Sequence, residues 1–300
     1  MTTHPLVFDR PLLRARRRRA RTLGPATFLL DRVAGDLAER VSTVVRRFDL
    51  AIDLATPTDA VRRALARHTS VGTIIAAVAS RDDVAADDGP CVVADEEALP
   101  FAEGKLDLVV SALSLQAVND LPGTLVQIRR ALRPDGLFLA ALLGGDTLGE
   151  LRQSFAVAEI EREGGVSPRV APFADVREMG ALLQRAGFAL PVTDIDRLTV
   201  RYASPFTLML DLRRMGATNA LVERRRIPLE RATLKRMTEV YAERFADPDG
   251  RVRATFEIVW LSGWAPHASQ QQPLQPGSAK TRLADALGTR ELPAGEKAAR

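Results

Sequence analysis

The sequence has few of the residues that many functional sites require. Its 300 residues include one cysteine, Cys91, and three histidines, His4, His68 and His267. A single cysteine excludes a disulfide framework and is typical of a reducing compartment. The histidines lie far apart and lack cysteine or carboxylate partners at ligand spacing, so we predict no metal site. No serine–histidine–aspartate triad can be assembled either.

Long apolar runs are also missing. No stretch reaches the roughly 18 apolar residues that a helix needs to cross a bilayer. The composition, 46% hydrophobic and 27% charged residues, predicts a soluble globular protein with one sizeable core and appendages. We therefore expect a bacterial cytoplasmic protein, with peripheral attachment to the inner membrane as the alternative.

Basic charge is concentrated at the start of the chain. Residues 1–50 hold 11 arginines against 5 acidic residues, and the whole chain has only four lysines among its 42 basic residues. The arginine run consists of Arg14, Arg16, Arg17, Arg18, Arg19 and Arg21. No aromatic residue interleaves with it, so we predict no specific nucleic-acid binding; a solvated helix face and weak contact with an anionic membrane surface both remain open. Asp9 and the lack of a serine-rich stretch argue against a transit peptide.

The order of apolar segments predicts an α/β fold. Five strands are expected, separated by helices, and such alternation is typical of a doubly wound, mostly parallel sheet. The expected strands are Phe48–Leu54, Val71–Val78, Cys91–Ala94, Leu106–Ser111 and Leu137–Leu143, with Leu198–Tyr202 and Thr255–Leu261 as added edge strands. We predict a basic arm and helix at 1–47, the main domain at 48–267 with a helical insertion at 206–250, and a loose tail at 268–300.

Polar residues at the predicted strand ends suggest a ligand site. Asp53 closes the first strand, and Asp95 and Glu96 follow the third. A nucleoside-like ligand needs a closely approaching backbone loop and carboxylates for its hydroxyl and amine groups. The loop after the first strand, however, is Ala55-Thr56-Pro57-Thr58 and has no glycine, and the second strand is followed by no carboxylate before Asp82.

Several motifs resemble known families. Asp53, the DEEALPF turn, LDLVVSALSL and LRPDGLFLAAL resemble the class I S-adenosylmethionine-dependent methyltransferases of the type 11 branch. The segments SLQAVNDLPG, GGDTLGELR, EREGGVSPRVAPF, ATFEIVWLSGWAPHASQ and PGSA look like the family of mitochondrial complex I assembly factor five and its bacterial relatives. There is also similarity to the malonyl-carrier-protein methyltransferase of biotin synthesis.

The resemblance implies a seven-stranded sheet with S-adenosylmethionine across the carboxyl ends of the first strands. Cofactor contacts are then expected from Asp53, Ala55, Thr56, Asp95, Glu96, Ser111 and Leu113. Candidates on the substrate side are Gln116, Gly144, Gly145 and Asp146. Catalytic residues cannot be named, because Gln116 and Ala117 stand where some relatives carry a histidine and an aromatic residue.

Three functions follow from these observations. The first is S-adenosylmethionine-dependent methyl transfer to a protein partner, in the assembly of respiratory complex I. The second is hydroxylation of an arginine on a respiratory-complex subunit, the activity that the assembly-factor family implies. The third is a scaffold that kept the fold and lost the cofactor, which the glycine-free loop favours.

Overall fold

The computed structural model describes residues 6–83, 89–173, 175–271, 278 and 281–290. The chain divides into two units, residues 1–266 and 267–300. The strands are β1 (Phe48–Leu54), β2 (Val71–Val78), β3 (Cys91–Val93), β4 (Leu106–Ala112), β5 (Leu132–Leu143), β6 (Ala189–Tyr202) and β7 (Val252–Trp264). The helices are α1 (Arg10–Thr22), α2 (Phe28–Ser42), α3 (Ala60–Leu65), α4 (Leu121–Ala131), α5 (Gly149–Glu163), α6 (Val176–Arg185), α7 (Pro205–Arg214), α8 (Arg231–Phe245) and α9 (Leu283–Leu287).

The first unit is built on one seven-stranded sheet of order β3-β2-β1-β4-β5-β7-β6. Strands β1 to β5 run parallel to one another, whereas β7 is antiparallel to both β5 and β6. The predicted doubly wound, mostly parallel sheet is therefore confirmed.

One strand position was predicted incorrectly. The segment 255–261 was expected at an edge, yet β7 lies between β5 and β6. Residues 256–261 are buried on both faces, as befits a strand with a neighbour on each side and helices above and below. Of the two added strands, only β6 lies at an edge of the sheet, and β3 forms the opposite edge.

Alternating side chains of each central strand enter two separate cores. In β5, Leu137 and Leu139 belong to one buried cluster, while Phe138 and Leu142 belong to the other. Helices α2, α3, α5, α7 and α8 supply the first cluster, and α4 and α6 supply the second. Two buried faces explain why the strands are almost continuously apolar in the sequence.

The helical insertion expected at 206–250 is two helices rather than one continuous helical stretch. Helix α7 ends before Gly216, which has a φ of +70°, and α8 does not begin until Arg231. Pro228 lies in the connection, where it cannot continue a helix begun upstream. The tail predicted at 268–300, including most of PGSA, lies largely outside the described residues. The part of it that the structure describes includes α9.

The N-terminal arm is anchored to the first unit. The backbone N–H groups of Val7 and Phe8 donate to Asn119 Oδ1 at 2.9 and 2.8 Å, and Asn119 Nδ2 donates back to the Phe8 carbonyl at 3.1 Å. Asp9 then caps α1 by accepting a hydrogen bond from the Leu12 N–H at 3.1 Å. These contacts place α1 beside the loops at the carboxyl ends of β1, β3 and β4.

Candidate active site

The loop after β1 contains a left-handed residue although it has no glycine. Ala55 has a φ of 57°, in the region that glycine occupies without strain. The Thr56 side chain is buried, and its hydroxyl accepts a hydrogen bond from the Ala112 N–H at 3.2 Å, which ties the loop to β4. Pro57 contributes no amide donor. The loop thus has a backbone conformation suited to close approach, with fewer donors than a glycine-rich loop would offer.

Asp53 lies beneath this loop and is only 1% exposed. Its Oδ2 atom is 3.3 Å from Arg62 NH1, whereas its Oδ1 atom has no hydrogen-bond partner among the described residues. Desolvation raises the pKa of Asp53 to about 6, against the opposing effect of Thr56 and Arg62. The residue therefore supports the loop from below and does not face the open cleft.

The end of β4 contributes one backbone feature to the cleft. Leu113 has a φ of 51° and lines the cavities described below. The Ser111 hydroxyl, in contrast, is fully buried and donates to the Leu54 carbonyl at 2.8 Å. Ser111 thereby joins β4 to β1, and its predicted role on the methionine side of a cofactor stays a prediction.

The acidic turn after β3 is paired with α1. Arg10 NH1 is 2.7 Å from Asp95 Oδ1 and 2.8 Å from Glu97 Oε2, and Arg10 NH2 pairs with Glu96. Arg14 NH2 is 2.8 Å from Asp95 Oδ2. Burial opposes ionisation of Asp95, but hydrogen bonds from the Glu97 N–H and both arginines outweigh it, so the pKa of Asp95 is lowered. The two carboxylates expected to meet a cofactor therefore already bind guanidinium groups.

These arginines belong to a stripe on one face of α1. Arg10, Arg14, Arg17 and Arg21 follow one another at spacings of 4, 3 and 4 residues. Arg21 pairs with Asp83, which follows β2 in the sequence. From sequence, the run suggested a solvated face or a membrane contact. The spacing in the sequence could have shown that three of the six arginines in the run lie on one face of a helix. It could not have shown that this face contacts the turns after β2 and β3.

Three cavities, of about 40, 120 and 290 Å³, lie between α1 and the carboxyl ends of β1 and β4. They adjoin, because Arg17 and Pro57 line all three. The smallest also borders Ala55, Thr56 and Glu96. The largest is walled mainly by apolar side chains, among them Leu13, Leu113, Leu143, Leu148, Phe173, Met209, Leu212 and Met215. The three cavities thus form one cleft, which is narrow beside the acidic turn and wider toward α7.

Of the candidates on the substrate side, Gln116 faces this hollow. It lines the two larger cavities, and its Nε2 atom donates to the Leu113 carbonyl at 2.9 Å. Its Oε1 atom is buried and has no hydrogen-bond partner among the described residues. An unused acceptor at this point is suited to a ligand N–H group.

The other candidates lie near β6 and β7. The Gly144 N–H donates to the Glu257 carbonyl at 2.8 Å, and Asp146 Oδ2 is 2.5 Å from Arg197 NH2. Asp146 and Arg197 border a separate, open cavity of about 480 Å³. In the described part of the chain, Gly144, Gly145 and Asp146 do not line the three cavities below α1, and their role toward a substrate stays untested.

The sheet order with one antiparallel strand, and a cleft at the carboxyl ends of β1 and β4, define a protein of the class I methyltransferase-like fold. A family model for a methyltransferase domain matches residues 52–140. Among solved structures, the chain superimposes on the protein BH2331 of Bacillus halodurans C-125 with a TM-score of 0.53 at 16% identity, covering 77% of this chain and 99% of that one. At such identity the likeness concerns the fold alone.

Relatives at higher identity define the family. The chain is 39% identical to the mitochondrial arginine-hydroxylase NDUFAF5 of Danio rerio, over 93% of this chain and 89% of the relative. Identity to the protein of the same name from Homo sapiens is 42%, over 91% of this chain and 81% of that one. A malonyl-[acyl-carrier protein] O-methyltransferase of Laribacter hongkongensis is 41% identical over 62% of this chain and 60% of the relative. The chain belongs to the NDUFAF5 family, as the sequence motifs predicted.

The family corrects one expectation. A bacterial cytoplasmic location was predicted from the single cysteine and the composition, but the NDUFAF5 relatives are named as mitochondrial proteins. The prediction was wrong because neither feature distinguishes one reducing compartment from another. In the part of the chain that the structure describes, no helix has both the length and the apolar character needed to span a bilayer.

Proposed function

We propose that this chain is a mitochondrial enzyme that hydroxylates an arginine side chain of a protein partner, a subunit of respiratory complex I. The observation that carries the proposal is the similarity to arginine-hydroxylases along 93% of the chain and 89% of the relative.

The cleft fits a nucleoside that carries an amino acid, such as S-adenosylmethionine. Ala55 holds the loop after β1 in a conformation that allows close approach, and Glu96 borders the smallest cavity as an acceptor for amine or hydroxyl groups. The unpartnered Gln116 Oε1 atom is an acceptor on the opposite side. When bound, such a cofactor supplies a methyl group on a sulfonium centre.

Hydroxylation requires a further reactant. Insertion of one oxygen atom into an arginine C–H bond is a two-electron oxidation, and the proposal takes dioxygen as the oxidant. Two electrons and two protons from an external donor then convert the second oxygen atom to water. In this proposal the chain positions the arginine and excludes bulk water, through the apolar walls contributed by Leu143, Leu148 and Phe173.

Mass spectrometry distinguishes the three functions. The chain is expressed in mitochondria of human cells that lack the NDUFAF5 relative, and arginine-containing peptides of complex I subunits are compared with those of untransfected cells. A gain equal to one oxygen atom on a specific arginine is the expected result. Normal complex I assembly with neither an oxygen nor a methyl group added to any subunit peptide would refute both enzyme candidates and leave the scaffold.

Methyl transfer is the second candidate, favoured by the methyltransferase-domain match over residues 52–140. In the same experiment it predicts a gain equal to one CH₂ group. Transfer of the cofactor methyl to a partner nitrogen or oxygen would release S-adenosylhomocysteine and one proton. Detection of S-adenosylhomocysteine in step with the modified peptide would therefore favour this candidate over hydroxylation.

A further inference from the structure

Arg17 occupies a position that none of the other stripe arginines shares. It lines all three cavities below α1. Its NH1 and NH2 atoms each lie 3.4 Å from the Ser114 hydroxyl, at the long limit for a hydrogen bond. Its guanidinium group is therefore held at the cavity wall with weak contacts only.

The other three stripe arginines each have a carboxylate partner. Arg10 and Arg14 pair with the acidic turn, and Arg21 pairs with Asp83. For Arg17, the described residues provide no carboxylate within 4 Å. Desolvation lowers the pKa of Arg17, and the more distant charges of Glu96 and Asp83 compensate only in part.

The surroundings make this arrangement unfavourable without a ligand. The walls that Arg17 shares in the two larger cavities are largely apolar and include Leu113, Leu148 and Met215, and among the described residues the Gln116 Oε1 atom in these walls has no hydrogen-bond partner. Arg17 is half-buried, and a partly desolvated cation without a counter-ion is unfavourable. A carboxylate would remove that cost, because its two oxygen atoms match the planar fork of a guanidinium group.

The backbone of Arg17 is fixed by close packing. A Cβ atom added to Gly216 would lie 2.9 Å from Arg17 Cα, so the α1 backbone rests directly on that glycine. The neighbouring Arg16 donates from its guanidinium group to the Asn219 carbonyl. The Arg17 side chain therefore starts from a fixed point beside the cavities.

We propose that Arg17 binds the carboxylate of an amino-acid-bearing nucleoside in the cleft, so that α1 supplies the anion-binding residue of the ligand site. This inference rests on the cofactor named in the proposed function. It assigns to the arm a role in ligand recognition that neither its composition nor the methyltransferase-domain match indicates.

Calorimetry on the purified full chain tests the proposal. S-adenosylmethionine is compared with decarboxylated S-adenosylmethionine, which lacks only the carboxylate, for wild type, Arg17→Gln and Arg17→Lys. We expect Arg17→Gln to weaken binding of S-adenosylmethionine by about 10- to 100-fold and to leave binding of the decarboxylated form unchanged. Arg18→Gln removes an exposed arginine from the same helix and is the matched control, with both affinities unchanged.

The outcomes separate this inference from the proposed function. Suppose that wild type binds S-adenosylmethionine and that Arg17→Gln weakens the binding of both ligands equally or leaves the binding of both unchanged. The carboxylate contact is then refuted, whereas the assignment of the cofactor stands. If wild type binds neither ligand, the cofactor itself fails and the inference fails with it. If Arg17→Gln does not fold, Arg17→Lys replaces it, because lysine keeps the charge but lacks the planar fork of the guanidinium group. The proposal then requires that Arg17→Lys lowers the affinity for S-adenosylmethionine several-fold and leaves the affinity for the decarboxylated form unchanged.

Discussion

Replacing Asp53 by asparagine tests the electrostatics beneath the cleft. Asp53 is 1% exposed, one of its carboxylate oxygens lacks a partner among the described residues, and the other lies 3.3 Å from Arg62. Burial is the largest influence on this carboxyl and raises its pKa, and the hydrogen bonds from Thr56 and Arg62 do not fully offset it. Asparagine has nearly the same shape and does not titrate, so the substitution isolates the charge.

The size and sign of the effect follow from linkage. A pKa raised from 3.8 to about 6 corresponds to about 3 kcal/mol of folding free energy. Because the folded protein holds the proton more tightly than the unfolded chain, this stability is fully present below pH 3.8 and is lost as the pH rises through 6. Asp53→Asn loses nothing over that range, so its stability relative to wild type should increase by about 2 kcal/mol between about pH 4 and pH 7.

Urea unfolding followed by circular dichroism at several pH values measures this difference. Asp49→Asn removes an exposed carboxylate from the same strand and is the matched control. The reasoning is refuted if the stability difference between wild type and Asp53→Asn is constant with pH. A difference that moves in favour of wild type as the pH rises would show instead that Arg62 outweighs burial.

Three other predictions concern packing around the site. Glu159→Ala should destabilise the protein by about 3 kcal/mol in urea unfolding, because it removes a buried carboxylate that pairs with half-buried Arg169 and accepts two hydrogen bonds from Ser167; a loss below about 1 kcal/mol would contradict this. Gly144→Ala should cost about 1–3 kcal/mol, since a Cβ there meets a β7 side chain at 2.7 Å, whereas Gly149→Ala has open space and should be neutral. Asn119→Ala removes three hydrogen bonds to the arm and should speed tryptic cleavage within α1; an unchanged cleavage rate would show that other contacts hold the helix.

Much of the fold can be predicted from local sequence pattern. The bounds predicted for β1 and β2 agree with the structure, because apolar, β-branched runs flanked by turn residues mark buried strands. The position of β7 between β5 and β6 could not be predicted in the same way. Pattern identifies a strand along the chain, whereas its neighbours depend on pairing across more than 100 residues, as between Leu143 and Ile258.

The site was predictable only where its residues are close in sequence. Asp95 and Glu96 were identified because a carboxylate pair directly follows a strand. Their partners on α1 were not, since Arg10 is separated from Glu96 by 86 positions and no local signal connects them. The conformation of Ala55 was missed for a different reason: composition reports the absence of glycine but not the backbone angle that the residue adopts.

The backbone conformation of Ala55 weakens the scaffold hypothesis. The hypothesis took its support from a loop without glycine, on the assumption that the backbone must then abandon the geometry that a nucleoside requires. Ala55 nevertheless has a φ of 57°, a conformation that costs an alanine roughly 1–2 kcal/mol. The hydrogen bond from the Ala112 N–H to Thr56 anchors the next residue and helps to maintain it. A loop held in an unfavourable conformation by its neighbours is more consistent with a retained ligand site than with a relaxed remnant of one.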